Sequence, residues 1–482
     1  MDTPTLTAFI LYLVILMSIG TFFYLRTRNL SDYILGGRGL NPWVTALSAG
    51  ASDMSGWLLL GLPGAMYAGG MNNIWIAVGL SLGAYLNWQF VAKRLRNYTE
   101  KANDAITLPD YLENRFNDTT RVLRVISALV ILVFFTIYVS SGLVAGAKLF
   151  ESTFGLGYQA ALWTGSLVII IYTFLGGFMA VSWTDFLQGT LMFIALLVIP
   201  SIAIQSVGGW NDVVSQAGSI DPEYLNAFSG MTFLSIISLM AWGLGYFGQP
   251  HILARFMAIK NPSDMPKAQT VGMTWMVLGL FGAIFTGFAG IAYYSGSPLE
   301  DPEKVFIVLV QTLTNPWIGG FLLAAILSAI MSTVDSQLIV SSSAIAEDFY
   351  KQILRKDAKR QELVWIGRVS VIILALVATS MASNPESMVL ELVAYAWGGF
   401  GAAFGPVIII SLFWKYMTRN ATLIGMIVGA VTVIVWKNLS GGMFDLYEIL
   451  PGFILCSAAI IIVSLLDKEP ESAVQEQFDS IK

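Results

Sequence analysis

A chain of 482 residues that is 56% hydrophobic and only 12% charged is not a water-soluble domain, in which about a quarter of residues carry charge. Its mean hydropathy of +0.70 and its recurring apolar runs of about 20 residues indicate a polytopic helical membrane protein rather than a β-barrel, whose segments are short and alternating. The net charge of -5 comes without any basic cluster suited to nucleic acid, and the lone Cys456 and lone His251 exclude an intrachain disulfide and a His-based metal centre.

The N-terminus, MDTPTLTAFILYLVILMSIGTFFYLRTR, lacks a basic start, and its apolar stretch ends in Arg26 and Arg28. It reads as a first membrane helix beginning outside, not as a cleaved signal. The apolar spans fall near residues 6–25, 42–69, 72–92, 122–147, 158–180, 184–206, 230–257, 267–295, 318–346, 365–384, 388–414, 420–437 and 443–466, about thirteen in all. A short amphipathic piece near 303–314, KVFIVLVQTL, is expected at the outer surface before the ninth span.

The distribution of basic residues supports this count. With the N-terminus outside, Arg38, the run from Lys93 to Arg124, Arg255, Lys260, Lys267, the cluster from Lys351 to Arg368, Lys415 and Arg419 all face the cytoplasm. Only Lys148, Lys304 and Lys437 fall outside. One missed span would invert every later loop and spoil the positive-inside pattern. The C-terminus is then cytoplasmic. The tail from Asp467 is too small for an output module, which argues against a receptor with a built-in effector.

Span two contains SAGASDMSGWLLLGLPGAM, Ser48 to Met66, in which Ser52, Asp53 and Ser55 are flanked by Gly50 and Gly56. Helices break inside membranes only where protein or a watery cavity satisfies the freed backbone groups. Transporters often place two broken helices at corresponding positions of an inverted repeat. Span seven carries the second one: AWGLGYFGQPHILARF, Ala241 to Phe256, with Gly243, Gly245, Gly248 and Pro250. Spans 2–6 and 7–11 then form two blocks of five. An odd number of crossings per block gives them opposite orientations. Their approximate limits are 40–258 and 230–416, with the boundary near 206–230. Residues 1–30 would add one N-terminal helix, and 418–482 two C-terminal helices and the tail, to a single transport domain.

A third polar cluster lies in span nine, SAIMSTVDSQLIVSSS, Ser328 to Ser343. It crowds Ser332, Thr333, Asp335 and Ser336 together, with the Ala329 carbonyl one turn away. Hydroxyls, carbonyls and carboxylates are the ligand set of a hard cation, which suggests a Na+ site between spans two and nine. The competing reading is ordinary packing, because Ser and Thr in membrane helices often bond to backbone or to a neighbouring helix. Asp53, a carboxylate inside the membrane, is a functional candidate by default. Asp335 could lie nearer the cytoplasmic end, and Asp185 could be merely interfacial. His251 and Cys456 read as structural.

These stretches resemble the sodium/solute symporters, in their proline-transporting branch. The matching segments are DYILGGRGL, TALSAGASDMSGWLLLGLPGA, AITLPDY, ISALVILVFFTIY, IYTFLGGFMAVSWTD, GLGYFGQPHILARFMA, AIMST and YAWGGFGAAFGP, spread over nearly the whole chain. The resemblance implies an all-α LeuT-type fold with a 5+5 inverted-repeat core in spans 2–11 plus three extra helices. It implies a co-transported Na+ held by the carbonyls of Ala51, Met54 and Ala329 and the hydroxyls of Ser332 and Thr333, with Asp53 supporting it. For the substrate, L-proline, it implies Asp53, Ser55, Gly56, Trp57, Tyr138, Trp242, Tyr246 and Pro250.

The side-chain chemistry suits that substrate. Trp242, Tyr246 and Pro250 are spaced four apart, one face of an α-helix, and Trp57 follows Asp53 by the same step. An apolar wall for three ring CH₂ groups would contribute about 2.4 kcal/mol. Asp335 stands where the proline branch is expected to have a small neutral residue. With Asp185, Ser332 and Ser336 it is expected to form a second cation or proton site. Arg38, in the GGRGL loop, reads either as part of a cytoplasmic gate or as a positive-inside anchor.

The sequence contains no HExxH, no nucleophile–base pair and no cofactor motif, so an enzyme is not expected. The reading is a secondary transporter of a bacterial inner membrane, working by alternating access, with no obligate protein partner. The alternatives are a Na+ symporter of another small solute, or a passive channel or sensor.

Overall fold

The computed structural model describes residues 3–24, 30–175 and 177–481. Arg26 and Arg28, expected at the inner end of span one, lie outside them. The described residues form helices joined by turns and loops; their one β contact is a parallel bridge between Leu40 and Ile259. Among the described residues ten helices are long and apolar enough to cross a membrane. One of these, Trp57–Lys101, runs for 45 residues, far beyond the roughly 20 needed for one crossing. It turns at Gly70, whose φ is +70° and where a Cβ would lie 2.6 Å from the Tyr224 Cα. Tyr158–Phe174 and Phe233–Gly248 are shorter apolar helices. Among the described residues each apolar stretch named above falls mainly on helix.

Two of the spans start by the same local device. Asn41 accepts from the backbone N–H groups of Trp43 and Val44, both at 3.0 Å, ahead of Pro42. Asn315 does the same for Trp317 and Ile318 ahead of Pro316. An Asn N-cap followed by Pro at the first helical position satisfies donors that have no partner within the helix.

The interruptions stand where the glycines, serines and proline place them. The first half of span two, Pro42–Asp53, stops at Met54 (φ −83°, ψ 77°). The chain resumes through one wide turn, Trp57–Gly61, and then Leu62–Gly69. In span seven, Phe233–Met240 tightens into a 3₁₀ helix, Ala241–Gly248. Gln249 is extended (φ −79°, ψ 108°), and Pro250–Ala258 follows. A residue before proline is pushed out of the helical region in just this way.

Glycine lets the first half of span three lie directly on the interrupted part of span seven. A Cβ at Gly83 would sit 2.0 Å from the Gly243 carbonyl oxygen, and one at Gly79 2.3 Å from that of Met240. Span nine, Pro316–Ser343, is buried along most of its length and packs on spans one, two, four and six.

Some boundaries differ from the hydropathy reading. Span three continues as the charged helix Lys93–Lys101, and span nine runs on to Leu354. Hydropathy records membrane thickness, not helix length. Span five ends at Leu175 and span six begins at Phe178, after an extended Gly177. Span thirteen begins at Ile449. The 303–314 piece is the helix Val305–Leu313. It is amphipathic, with Val305, Phe306, Ile307, Leu309 and Val310 packed into the protein and Gln311 and Thr312 exposed.

Candidate transport site

At the end of a helix the last carbonyls lose their intrahelical donors. In span two, Met54 N–H donates to Gly50, and Leu58 N–H donates to Ser55 rather than to Met54. The Ala51 carbonyl is taken by span nine: Ser332 Oγ donates to it at 2.7 Å and Thr333 Oγ1 at 3.3 Å. Ser332 also reaches the Ala329 carbonyl at 3.2 Å. Four of the five oxygens expected around Na+ are thus gathered in one place. The fifth belongs to Met54, the fully buried residue at which the helix stops. A set of carbonyls and hydroxyls without nitrogen or sulfur suits a hard monovalent cation.

Asp53 is 2% exposed. Its Oδ2 accepts from the Tyr246 hydroxyl, and its Oδ1 has no partner among the described residues. Its backbone carbonyl accepts from Trp57 Nε1 and from the Tyr138 hydroxyl, each at 3.2 Å. Four of the expected substrate residues, on spans two, four and seven, therefore meet at Asp53. Ser55 is buried, and its Oγ faces Trp57 N–H at 3.4 Å. Gly56 lets span four approach, since a Cβ there would lie 2.6 Å from that of Ala145.

Trp242, Tyr246 and Pro250 do not share one face. Their stretch is 3₁₀ up to Gly248, and with three residues per turn, positions four apart point roughly 120° from each other. Trp242 packs on Trp57 at 6.4 Å and Tyr447 at 5.3 Å. Tyr246 turns to Asp53 and meets the Trp397 ring edge-on at 5.0 Å. Pro250 lines a separate cavity of about 20 Å³ beside Thr107, Ser343 and Asp348.

The expected second cation cluster is gathered only in part. Asp185 accepts from Ser48 Oγ at 2.6 Å and from Arg255 Nη2 at 3.2 Å. The same guanidinium reaches Ser336 Oγ at 2.5 Å, Ser48 Oγ at 3.0 Å and the His251 carbonyl at 3.0 Å. Asp335 turns away to Thr173 and keeps one oxygen without a partner among the described residues. Arg255, read from sequence as an inner-loop cation, is 1% exposed and lies over the Phe178 ring.

Residues 33–429 match the family model described as the sodium:solute symporter family. The chain belongs to that family. Over 483 aligned residues this symporter is 57% identical to the sodium/proline symporter of Salmonella typhimurium, with 99% of this chain and 96% of that protein covered. It is 56% identical, with the same coverage, to the sodium/proline symporter of Escherichia coli. A Na+-coupled sialic acid symporter, solved substrate-bound and outward-open, superposes with a TM-score of 0.83 at 18% identity, covering 98% of this chain and 99% of that one. The fold is therefore the LeuT-type fold of sodium symporters.

Both ends of the symporter are tied by charge. At one end Arg38 donates to Asp104 at 2.8 Å and to the carbonyls of Met257 (2.7 Å) and Ala105 (2.9 Å). Its side chain is only 11% exposed. Arg124 binds Asp110, Glu113 and Asp348. At the other end Lys148 pairs with Glu303 at 2.7 Å and Asp301 at 3.0 Å. Glu303 also accepts from the N–H groups of Val389 and Leu390, both at 3.0 Å, at the start of span eleven. Sequence reasoning took Lys148 for an external loop residue and did not single out Arg255, Asn87, Trp397 or Glu303. Each has partners on other spans, and no local pattern announces them.

Proposed function

We propose that this symporter couples inward Na+ flow to the uptake of L-proline by alternating access. Its full-length relatives at 56–57% identity are sodium/proline symporters, and the family is defined by Na+-coupled solute transport. The protein is a multi-pass membrane transporter and not an enzyme. The observation that carries the mechanism is the junction of Ala51, Ala329, Ser332 and Thr333 at the break of span two.

In this reading Na+ enters that junction, with the Met54 carbonyl as a further ligand, and ties span two to span nine. Ordering the break arranges Asp53, Ser55, Gly56, Trp57, Tyr138, Trp242 and Tyr246 for the amino acid. Pro250 acts from the inner side of the same broken span. Na+ then raises affinity for proline, and proline raises affinity for Na+ by the same factor. The outer tie at Glu303 and the inner tie at Arg38 open in alternation. Arg255 serves as the fixed counter-charge of Asp185 and holds Ser336 by a hydrogen bond, which leaves Asp335 as the open carboxylate on that side. One charge moving down about 100 mV supplies roughly 2.3 kcal/mol, enough for roughly 40- to 50-fold accumulation.

The two blocks, near 40–258 and 230–416, would be the inverted repeats. The chain would sit in a bacterial inner membrane with its N-terminus outside and its C-terminus in the cytoplasm. The test is radiolabelled L-proline uptake into proteoliposomes. Accumulation only with an inward Na+ gradient, abolished by a Na+ ionophore, supports the reading. Uptake that never exceeds equilibrium would indicate a passive pore. Transport of another solute in place of proline would retain the coupling and replace the substrate.

A further inference from the structure

A second small cavity, of about 20 Å³, lies at the break and is lined by spans two, three, seven and eight. The Ser332–Thr333 junction belongs to span nine, which contributes nothing to this lining. Two buried oxygens without partners among the described residues are on it: Asp53 Oδ1 and Asn87 Oδ1. The geometry fixes what each side chain has left to offer. Asp53 gives its other oxygen to the Tyr246 hydroxyl. Asn87 anchors its amide nitrogen on the Tyr246 carbonyl at 2.9 Å, and its oxygen is left as an open acceptor. No Lys or Arg lines the cavity.

Buried polar atoms in folded proteins nearly always have partners. A carboxylate inside the membrane without a neighbouring positive charge is costly. Two open acceptors, one of them a carboxylate oxygen, call for a donor or a cation. The volume limits its size, because about 10–15 Å³ holds one water-sized particle. The pyrrolidine ring does not fit in it; an ion, or the charged nitrogen alone, does.

We propose that Asp53 and Asn87 form a cation-recognising subsite distinct from the Ala51–Ser332 junction. Its occupant is a small monovalent cationic group: Na+ itself, or the secondary ammonium of the amino acid. A secondary ammonium carries two N–H donors, matching the two open acceptors, whereas a primary ammonium has a third to satisfy. Asn87 is the new element, and the inference rests on the transport reading above.

The test measures equilibrium binding to the purified full-length protein, with radiolabelled Na+ in the absence of amino acid and with radiolabelled L-proline at saturating Na+. Asn87→Ala removes the acceptor and the tie to Tyr246. Asn87→Asp restores an acceptor, now charged, but not the N–H. Loss of a hydrogen bond to a charged group corresponds to about a tenfold or greater fall in affinity.

If Na+ is the occupant, Asn87→Ala weakens Na+ binding by that factor and Asn87→Asp recovers it. If the ammonium is the occupant, Na+ binding is unchanged while proline binding falls and is recovered by Asn87→Asp. Either result supports the subsite. Unchanged affinities in both assays overturn it. So does an equal loss in both variants, which would assign Asn87 to holding the Tyr246 carbonyl alone. If the wild-type protein binds no proline, the substrate reading fails by itself, and the Na+ measurement still decides the role of Asn87.

Discussion

The carbonyl oxygen of Ala51 and the hydroxyl of Ser332 lie 2.7 Å apart, joining a broken helix to an unbroken one across 281 residues of sequence. A hydroxyl is both donor and acceptor and rotates to suit its partner. Ser332 can therefore release the carbonyl and turn a lone pair to an arriving cation. Ser332→Ala and Thr333→Ala should each raise the Na+ concentration for half-maximal uptake about tenfold, the loss of one charge-assisted contact. Na+ activation curves of proline uptake measure it. A cluster that only packs helices would lower thermal stability and leave the Na+ curve in place.

Tyr246 gives Asp53 its one side-chain hydrogen bond among the described residues. Tyr246→Phe keeps the ring against Trp397 and leaves both carboxylate oxygens open. A buried charged acceptor that loses its donor costs about 1.5–3 kcal/mol. The apparent KM for proline should rise about tenfold or more, with smaller effects on expression. Initial-rate kinetics would show it, and an unchanged KM would remove Tyr246 from the site.

How far the sequence could be read depended on the range of the interaction. Asn41-Pro42 and Asn315-Pro316 are local caps, and the local rule suffices. The break at Asp53 is visible because Gly, Ser and Asp are out of place in an apolar run. The face assigned to Trp242, Tyr246 and Pro250 was not legible. It assumed α-helical period, and Gly243, Gly245 and Gly248 permit the tighter 3₁₀ turn instead. Arg255 was hidden for another reason. Its partners Ser48, Asp185 and Ser336 come from three other spans, so nothing near it in sequence separates it from a loop cation. Lys148 and Glu303 were hidden likewise, since hydropathy scores each charge and cannot show that two neutralise one another.

Arg38 holds two chain segments at once, residues 99–105 and Met257, from a position with φ +54°. Arg38→Ala should loosen the inner side. A cysteine placed at Ala254, beside Pro250 on the inner cavity, should then react faster with a thiol reagent applied from the cytoplasmic face. Arg38→Lys should restore little, because one ammonium cannot reproduce the forked contacts of a guanidinium. Equal labelling in all three proteins would return Arg38 to the role of an anchor.

Glu303 is 1% exposed, pairs with Lys148 and caps the start of span eleven. Glu303→Gln keeps the shape and removes the charge. Breaking one partner of a buried pair leaves the other charge uncompensated, at about 3–5 kcal/mol. The outer side should open more often, slowing turnover while Na+ affinity is kept. Uptake rates together with accessibility of the outer vestibule to a membrane-impermeant thiol reagent measure both. Slower turnover without greater outer accessibility would mean that Glu303 only stabilises the fold.

Asp185 and Arg255 offer the sharpest separation of structure from coupling. Asp185→Asn leaves a guanidinium buried at 1% exposure with only Ser48, Ser336, the His251 carbonyl and a ring for company. Destabilisation of about 3–5 kcal/mol is expected, read as a lowered thermal midpoint. Arg255→Gln leaves the opposite charge unpaired and should do the same. The double variant removes both charges and should recover most of the stability, because neighbouring sites are not additive. Na+-dependent uptake then decides between two roles for Asp185. If the double variant regains both stability and normal Na+ dependence, Asp185 exists to neutralise Arg255. If stability returns and Na+ dependence does not, Asp185 also handles the cation, and the pairing with Arg255 is the state it adopts between transport cycles.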